Sequence, residues 1–177
     1  MNYCTQCGAK VELRIPEGDT RPRHICQQCG EIHYLNPKLV IGCIAEWEDR
    51  ILLCRRAIEP CYGLWTLPAG FMENGESTSH TAIRETLEEA CAHVQIGSLY
   101  YLANIPHINQ VHLFYRGKMC DDHFGVGEES LETRLFTEKN IPWDHLAFRS
   151  VRMCLHTYFS DRHSGYLGFH EATLAPP

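Results

Sequence analysis

Three glutamates in the segment at residues 70–92, GFMENGESTSHTAIRETLEEACA, have the spacing of a metal site on a helix. Glu85, Glu88 and Glu89 stand at positions i, i+3 and i+4, so their carboxylates project from one helix face within one turn. Like charges at this spacing repel unless a cation lies among them. Mg²⁺ takes carboxylate oxygens and completes its shell with water and substrate phosphate oxygens. The segment therefore predicts a helix that presents a divalent ion to a phosphate-containing substrate.

Residues around the three glutamates favour the same helix. Ser77 and Thr78 precede the periodic apolar positions and supply side chains that can cap the helix. Arg84 can pair with Glu76 or Glu88 and so hold the carboxylates in orientation. The alternative is a solvated acidic helix face, but such faces usually alternate acidic residues with Lys or Arg.

The segment resembles the Nudix box, G-x5-E-x7-R-E-U-x-E-E-x-G-U, where U is aliphatic. Thr86 takes an aliphatic position and Cys91 takes the last glycine, but neither departure removes a carboxylate. A residue with a β-carbon is costly at a left-handed helix end, so Cys91 could alter how the helix ends, but metal binding is expected to survive. The resemblance implies an α/β fold, the Nudix-type α/β/α sandwich with a mixed sheet. It also implies hydrolysis of a nucleoside diphosphate linked to another moiety, X.

On this resemblance the catalytic cofactor is Mg²⁺ or Mn²⁺. The ions would neutralise the charge of the phosphoanhydride, orient it and help to generate hydroxide. Their expected ligands are the three carboxylates and one backbone carbonyl: Gly70, Glu85, Glu88 and Glu89. Glu85 and Arg84 are also assigned to the catalytic machinery.

A catalytic base is expected in the loop at residues 120–130, CDDHFGVGEES. The helix carboxylates donate to cations and leave nothing free to take a proton from water. We assign the base to Glu129, which closes the loop before a core strand, where one end is anchored and the rest can move over the substrate. Glu128 and Glu132 stay as alternatives for the base. A further alternative is that the acidic residues of this loop are simply solvated charges with no catalytic role.

Two arginines and three aromatic residues are candidates for substrate binding. Arg55 and Arg56 end a strand facing opposite ways, so one points outward and the other is expected to reach the site. On the Nudix resemblance, a basic residue there meets a substrate phosphate. Phe71, Phe114 and Tyr115 could stack on adenine, although aromatic residues of a sheet usually pack inward.

Two Cys-x2-Cys-Gly pairs, separated by eighteen residues, predict a second and different metal site. Cys4 and Cys7 form the first pair, and Cys26 and Cys29 form the second. This spacing is typical of a structural four-thiolate Zn²⁺ site. Because four cysteines fill the coordination sphere, no open position is left for catalysis.

The cysteine pairs define a separate unit, a small zinc ribbon at residues 1–37, followed by a Nudix hydrolase domain at residues 38–177. The ribbon is expected to contain two short hairpins with a turn-rich tip at residues 15–19. His24 and His33 are spare and are not expected to be ligands. An alternative role, in which the ribbon grips nucleic acid, needs a basic face, but its basic residues are offset by acidic ones.

Hydrophobic periodicity places the remaining elements of the larger domain. Apolar or alternating runs predict five strands, a helix from about residue 148 to 161 and a final strand within 165–171, with a loose end at 174–177. The five strands are expected at residues 39–47, 51–57, 94–105, 111–119 and 131–137.

Bulk composition bounds the class of protein. The chain has 177 residues, is 44% hydrophobic and carries a net charge of -6. No apolar run approaches membrane-spanning length and no signal-peptide pattern is present, so we expect a cytoplasmic protein with no membrane partner. Its negative charge argues against a general nucleic-acid binder. The six cysteines outside the ribbon are expected to be reduced thiols, and a homodimer stays open.

The order of the two units narrows the substrate. A zinc ribbon followed by a Nudix domain is similar to NADH pyrophosphatases and to relatives that cleave ADP-ribose and FAD. The former carry a Ser-Gln-Pro-Trp-Pro-Phe-Pro-like run, which residues 97–106 lack. This favours ADP-ribose or FAD as the small-molecule substrate. Two alternatives are a hydrolase that processes nucleotide-capped RNA 5′ ends and a nucleotide-sensing regulator with a degenerate site.

Overall fold

The chain folds as two units in the computed structural model, which describes residues 1–176. The first unit, Met1–Pro37, contains three antiparallel strands in the order β1-β2-β3. These strands are β1 (Val11–Arg14), β2 (Arg23–Cys26) and β3 (Ile32–His33). Gly8 and Gly30 follow the second cysteine of each pair with φ angles of 75° and 74°, a left-handed conformation that glycine adopts without steric cost.

The second unit begins at Lys38 and is built on an eight-stranded mixed sheet. The main strand order is β10-β5-β4-β9-β8-β11, with β6 beside β5 and β7 beside β4. Two of the pairings, β4 with β9 and β8 with β11, are parallel, and the others are antiparallel. The strands are β4 (Lys38–Trp47), β5 (Arg50–Arg56), β6 (Trp65–Thr66), β7 (Ala69–Phe71), β8 (Val94–Ile105), β9 (Gln110–Met119), β10 (Ser130–Phe136) and β11 (His170–Thr173).

One long helix packs on each face of this sheet. Helix α1 (Thr78–Ala90) buries Ala82 and Ala90 against one layer of core residues, which includes Ile41 and Leu52. Helix α2 (Arg149–Ser164) buries Leu155 and other residues in the larger layer on the opposite face. Three short 3-10 helices connect elements: Pro106–Ile108, Glu138–Asn140 and Trp143–His145. The α/β/α sandwich is confirmed.

The end of the chain differs from the sequence prediction. The final strand is β11 (His170–Thr173), which starts later than predicted because Gly165 ends α2 at φ 74° and the chain must first reach the edge of β8. There the His170 imidazole contacts Asp161, which also accepts from the Tyr100 hydroxyl. Leu174 was expected in a loose tail, but its side chain is buried and its N–H donates to the Asn104 carbonyl at 2.8 Å. Pro177 lies outside the described residues.

Candidate active site

Helix α1 begins as its sequence predicts. The Ser77 side chain accepts a hydrogen bond from the His80 N–H at 3.2 Å, so Ser77 is the N-cap. The Thr81 hydroxyl, one turn on, donates to Glu76 at 2.8 Å. These bonds fix the first turn of the helix and tie the Glu76 carboxylate to it.

Arg84 gathers the carboxylates of the box. Its Nε donates to Glu76 at 2.7 Å, and its Nη1 donates to Glu85 at 2.7 Å and to Glu88 at 2.8 Å. Its Nη2 also donates to the Phe71 carbonyl at 3.1 Å, which links α1 to β7. The guanidinium lowers the pKa of Glu76 to about 2. Arg84 therefore makes both ion pairs predicted from the sequence and a third with Glu85.

Glu89 is the most deeply placed carboxylate of the box. It is 6% exposed and accepts one hydrogen bond from the Ala69 N–H at 3.2 Å. Within residues 1–176 it forms no ion pair with Lys, Arg or His. Burial raises the pKa of Glu89 to about 8, which means that the ionised form needs a cation nearby. A hard divalent ion fits this requirement, because its preferred ligands are such oxygens.

The backbone of Gly70 lies directly against the Glu85 carboxylate. A β-carbon added to Gly70 would collide with the Glu85 oxygens, so only glycine allows this approach. Glu85 is 8% exposed, and burial raises its pKa as well. Buried carboxylates are oxygen donors that suit Mg²⁺ or Mn²⁺.

The loop at residues 120–130 docks on the C-terminal end of α1. The N–H of Gly125 donates to the Ala90 carbonyl at 2.7 Å, and the N–H of Gly127 donates to the Glu89 carbonyl at 3.1 Å. These are carbonyls that a helix end leaves unpaired. A β-carbon on Gly127 would collide with the Glu88 carbonyl. The sequence predicts that this loop is anchored at one end and that the rest can move over the substrate, whereas the structure holds Gly125 and Gly127 against the helix.

Cys91 ends α1 with a φ of 50°, the left-handed conformation expected for the glycine of the box. Its N–H still donates to the Leu87 carbonyl. A β-carbon added to Gly125 would lie 3.2 Å from the Cys91 β-carbon, so the loop packs closely over this residue. Sequence reasoning missed the role of Gly125 and Gly127, although two glycines just before an acidic pair could have indicated a close backbone approach.

Glu129 and Glu132 have different surroundings. Burial is the main cause of the raised pKa values of Glu85 and Glu89, and the negative charge of Glu129 adds a smaller contribution to both. The Glu129 carbonyl accepts from the Ala57 N–H at 2.8 Å, so its backbone is fixed to the end of β5. Glu132 instead accepts from Arg134 at 2.6 Å.

Arg55 and Arg56 point in different directions, as alternation along β5 requires. Arg55 is exposed, donates to the Gly63 carbonyl at 2.9 Å and lies 3.9 Å from Glu132. Arg56 is 9% exposed, donates to the Pro60 carbonyl at 2.8 Å and stacks 5.1 Å from the Phe148 ring centroid. The charge of Arg56 opposes the burial that raises the Glu89 pKa, so Arg56 acts electrostatically on this carboxylate.

The three candidate aromatic residues are placed differently. Phe114 is 1% exposed in the core under α2. Tyr115 packs beside the core under α1, and its hydroxyl lies 2.7 Å from the Thr78 hydroxyl. Phe71 is 48% exposed, with the Lys38 ammonium 4.9 Å from its ring centroid. Of these, Phe71 offers the most open ring to a ligand.

The ribbon brings its four cysteines together. Their sulfur atoms all lie within 4.8 Å of one another, and neighbouring pairs are 3.4 to 3.7 Å apart. All are free thiols. Four sulfurs at the Zn–S distance of about 2.3 Å in a tetrahedron lie about 3.8 Å apart, so the cluster fits zinc. Among residues 1–176 no other set of histidine, cysteine or acidic groups is gathered this tightly.

Comparison with known proteins identifies the class. The family model of the Nudix N-terminal zinc ribbon matches residues 2–35, and that of the NUDIX domain matches residues 36–157. The chain therefore belongs to the Nudix hydrolase family and is an enzyme with an N-terminal zinc-ribbon domain.

Individual relatives are similar over different lengths. A solved NUDIX hydrolase of Nitrosomonas europaea is 54% identical, with a TM-score of 0.95 over 98% of this chain and 99% of that one. An ADP-ribose pyrophosphatase of Methanocaldococcus jannaschii is 27% identical over 63% of this chain and 70% of its own length. A NAD-capped RNA hydrolase of Photorhabdus laumondii is 30% identical over 59% of this chain, but the match spans only 38% of that relative.

The described residues, 1–176, include no helix that is long and apolar enough to cross a membrane.

Proposed function

We propose that the protein is a metal-dependent pyrophosphohydrolase that cleaves ADP-ribose or FAD into AMP and a phosphorylated second product. The observation that carries the proposal is the arrangement at α1, where Arg84 holds Glu85 and Glu88 beside the buried Glu89 and the backbone of Gly70. Such an oxygen cluster on a rigid helix suits phosphate chemistry, because it can share an ion with substrate oxygens.

The proposed ligands of Mg²⁺ or Mn²⁺ are Gly70, through its carbonyl, and the carboxylates of Glu85, Glu88 and Glu89. When bound, the ion supplies Lewis acidity toward the phosphoanhydride and lowers the pKa of water. Arg84 contributes by fixing the orientation of the carboxylates, since it bridges two of them and the β7 backbone.

We assign the removal of a proton from the attacking water to Glu129. Its backbone is tied to β5, its loop is tied to α1, and its charge acts on Glu85 and Glu89. Glu132 is less suited, because it is paired with Arg134. Charge repulsion between phosphates and the nucleophile would be eased by Arg56, whose charge acts on Glu89, while Arg55 is left to the outer part of the substrate.

The identity of X rests on two observations. One relative is named an ADP-ribose pyrophosphatase, and the proline-rich run typical of NADH pyrophosphatases is absent from residues 97–106. Those residues lie in β8 and its turn, where Tyr100 and Tyr101 are buried. Phe71 is the proposed stacking partner of adenine, and Tyr115 is left as a lining residue held by Thr78.

A second candidate function is the hydrolysis of nucleotide-capped RNA 5′ ends. Several relatives are named NAD-capped RNA hydrolases, and the same catalysis would serve such a substrate. The net charge of -6 counts against it, because affinity for RNA comes mainly from Lys and Arg. A non-catalytic nucleotide sensor is disfavoured by the complete set of carboxylates.

Two further proposals concern the setting of the enzyme. We propose that the ribbon binds one structural Zn²⁺, because its four sulfurs fit a closed tetrahedral shell. We also propose a cytoplasmic location, because a four-thiolate zinc site needs reduced cysteines, which a reducing compartment maintains.

A substrate panel tests the proposed function. Phosphate release, coupled to a phosphatase, would be measured for ADP-ribose, FAD, NADH, diadenosine polyphosphates and NAD-capped RNA, with Mg²⁺ and with Mn²⁺. The proposal expects the highest kcat/KM for ADP-ribose or FAD. A higher value for capped RNA, with steep salt dependence, would favour the second candidate, and binding without turnover of any substrate would favour a sensor.

A further inference from the structure

The four sulfurs of the ribbon have unequal surroundings. Cys4 and Cys26, the first cysteine of each pair, are 4% and 1% exposed, whereas Cys7 and Cys29 are exposed. An exposed thiolate can accept hydrogen bonds from water. A buried thiolate cannot, so donors from the protein must balance its charge.

Cys26 receives two such donors from its own turn. The backbone N–H groups of Gln28 and Cys29 both lie 3.4 Å from its sulfur. Cys4 occupies the equivalent place in the first pair, but within the described residues its sulfur receives only one backbone N–H, that of Gln6, at 3.3 Å. The Cys4 sulfur therefore receives one backbone hydrogen bond fewer than the Cys26 sulfur.

His33 lies where a second hydrogen-bond donor to the Cys4 sulfur would be. Its Nε2 lies 3.4 Å from the Cys4 sulfur, and it is carried there by β3, which pairs with β2 so that His33 stands opposite His24. His33 is not itself part of the tight cluster, since the mutual distance of 4.8 Å is met only by the four cysteines. Its position is that of a donor to one sulfur, not that of a ligand.

We propose that His33 is a positioning residue that donates a hydrogen bond from Nε2 to the zinc-bound Cys4 thiolate and thereby strengthens zinc binding. The inference rests on the zinc binding proposed above. Four thiolates around one Zn²⁺ carry excess negative charge, and an N–H donor draws part of that charge away from the buried sulfur. Partners of this kind commonly change metal affinity by about 10- to 100-fold.

Zinc affinity of the full chain tests the proposal. The apparent dissociation constant would be measured by chelator competition at one fixed pH for the native protein, His33→Phe, His33→Gln and the control His24→Phe. His33→Phe should bind zinc about 10- to 100-fold more weakly. His33→Gln should stay close to native, because the Gln amide can donate from a similar place. His24→Phe, on the same face of the same small sheet, should also stay close to native.

The spectrum of the Co²⁺-substituted protein separates a donor from a ligand. In His33→Phe the bands of tetrahedral four-sulfur Co²⁺ should persist while the sulfur-to-cobalt charge-transfer band shifts. Native affinity in His33→Phe, equal weakening in His33→Gln or equal weakening in His24→Phe would each overturn the proposal. A native protein that holds no zinc would overturn the zinc assignment itself, which zinc analysis shows before any variant is made.

Discussion

The two proposed metal sites of this chain differ in how their ligand groups are held together. The ribbon brings four sulfurs within 4.8 Å of one another, while the carboxylates of α1 are held on Arg84 and the β7 backbone. Neutral thiols can approach one another without a cation, whereas ionised carboxylates repel and need Arg84 among them. The ribbon thus offers a closed shell suited to structure, and the helix offers an open one with room for water and substrate.

The largest expected effect comes from a change that disrupts the proposed carboxylate site on α1 and leaves the sulfur site of the ribbon intact. Glu89→Gln should lower turnover by orders of magnitude, because an amide is a poorer, uncharged ligand for a hard cation. Its thermal stability should be kept, since replacing a buried carboxylate with an amide lowers the desolvation cost. The measurements are kcat at saturating Mg²⁺ and the unfolding temperature, with zinc content as the control. Near-native turnover would show that Glu89 is not a metal ligand.

The next largest effect separates the role of a general base from the role of the metal ligands at the carboxylate site. Glu129→Gln should reduce kcat by about 10²- to 10⁴-fold with little change in KM, because a general base is lost while the phosphates are still held. Glu128→Gln and Glu132→Gln are matched controls from the same segment. If the loss appears in Glu132→Gln instead, the base is misassigned. If none of the three matters, the attacking water is activated without any of these three carboxylates.

A third change disrupts the four-cysteine site of the ribbon. Cys26→Ser should lose about one equivalent of zinc and unfold the ribbon. In such small metal-binding units, the free energy of zinc binding is what stabilises the folded state. The Nudix domain has its own core and should keep its thermal transition. Zinc analysis and calorimetry of the full chain provide the measurements. Full zinc content in the variant would contradict the assignment.

The smallest effect concerns a cysteine outside the ribbon. Cys91→Gly should stabilise the Nudix domain by about 1 kcal/mol, because φ 50° is costly for a residue with a β-carbon. Zinc content should not change, since Cys91 is not part of the sulfur cluster. Denaturant unfolding gives the free energy, and Cys120→Gly, another exposed cysteine, is the control. A loss of stability would mean that packing against Gly125 outweighs the backbone strain.

Features set by local spacing could be predicted from the sequence. The helical period places Glu85 and Glu88 on one face, and the Cys-x2-Cys-Gly turns place sulfurs together, because both depend on residues a few positions apart. Strands β4, β5, β8, β9 and β10 follow from alternation and were predicted to within one or two residues.

Features that depend on contacts between residues far apart in the chain could not be predicted from the sequence. The docking of Gly125 and Gly127 on the end of α1, the reach of His33 to Cys4 and the late start of β11 each depend on which elements meet in three dimensions. The separation of Arg55 from Arg56 shows the boundary between the two cases. Alternation predicts that they diverge, but only the fold shows that Arg56 is the buried one and Arg55 the exposed one.

The central claim is that the carboxylates of α1 hold a hard divalent ion. Its most direct test is Mn²⁺ binding measured by electron paramagnetic resonance, in which free Mn²⁺ is counted during titration of the native protein and of a Glu88→Gln/Glu89→Gln variant with matched zinc content. The native protein should bind Mn²⁺ saturably, and the double variant should bind it at least about tenfold more weakly because two charged ligands are lost. Equal Mn²⁺ binding by the two proteins would contradict the claim.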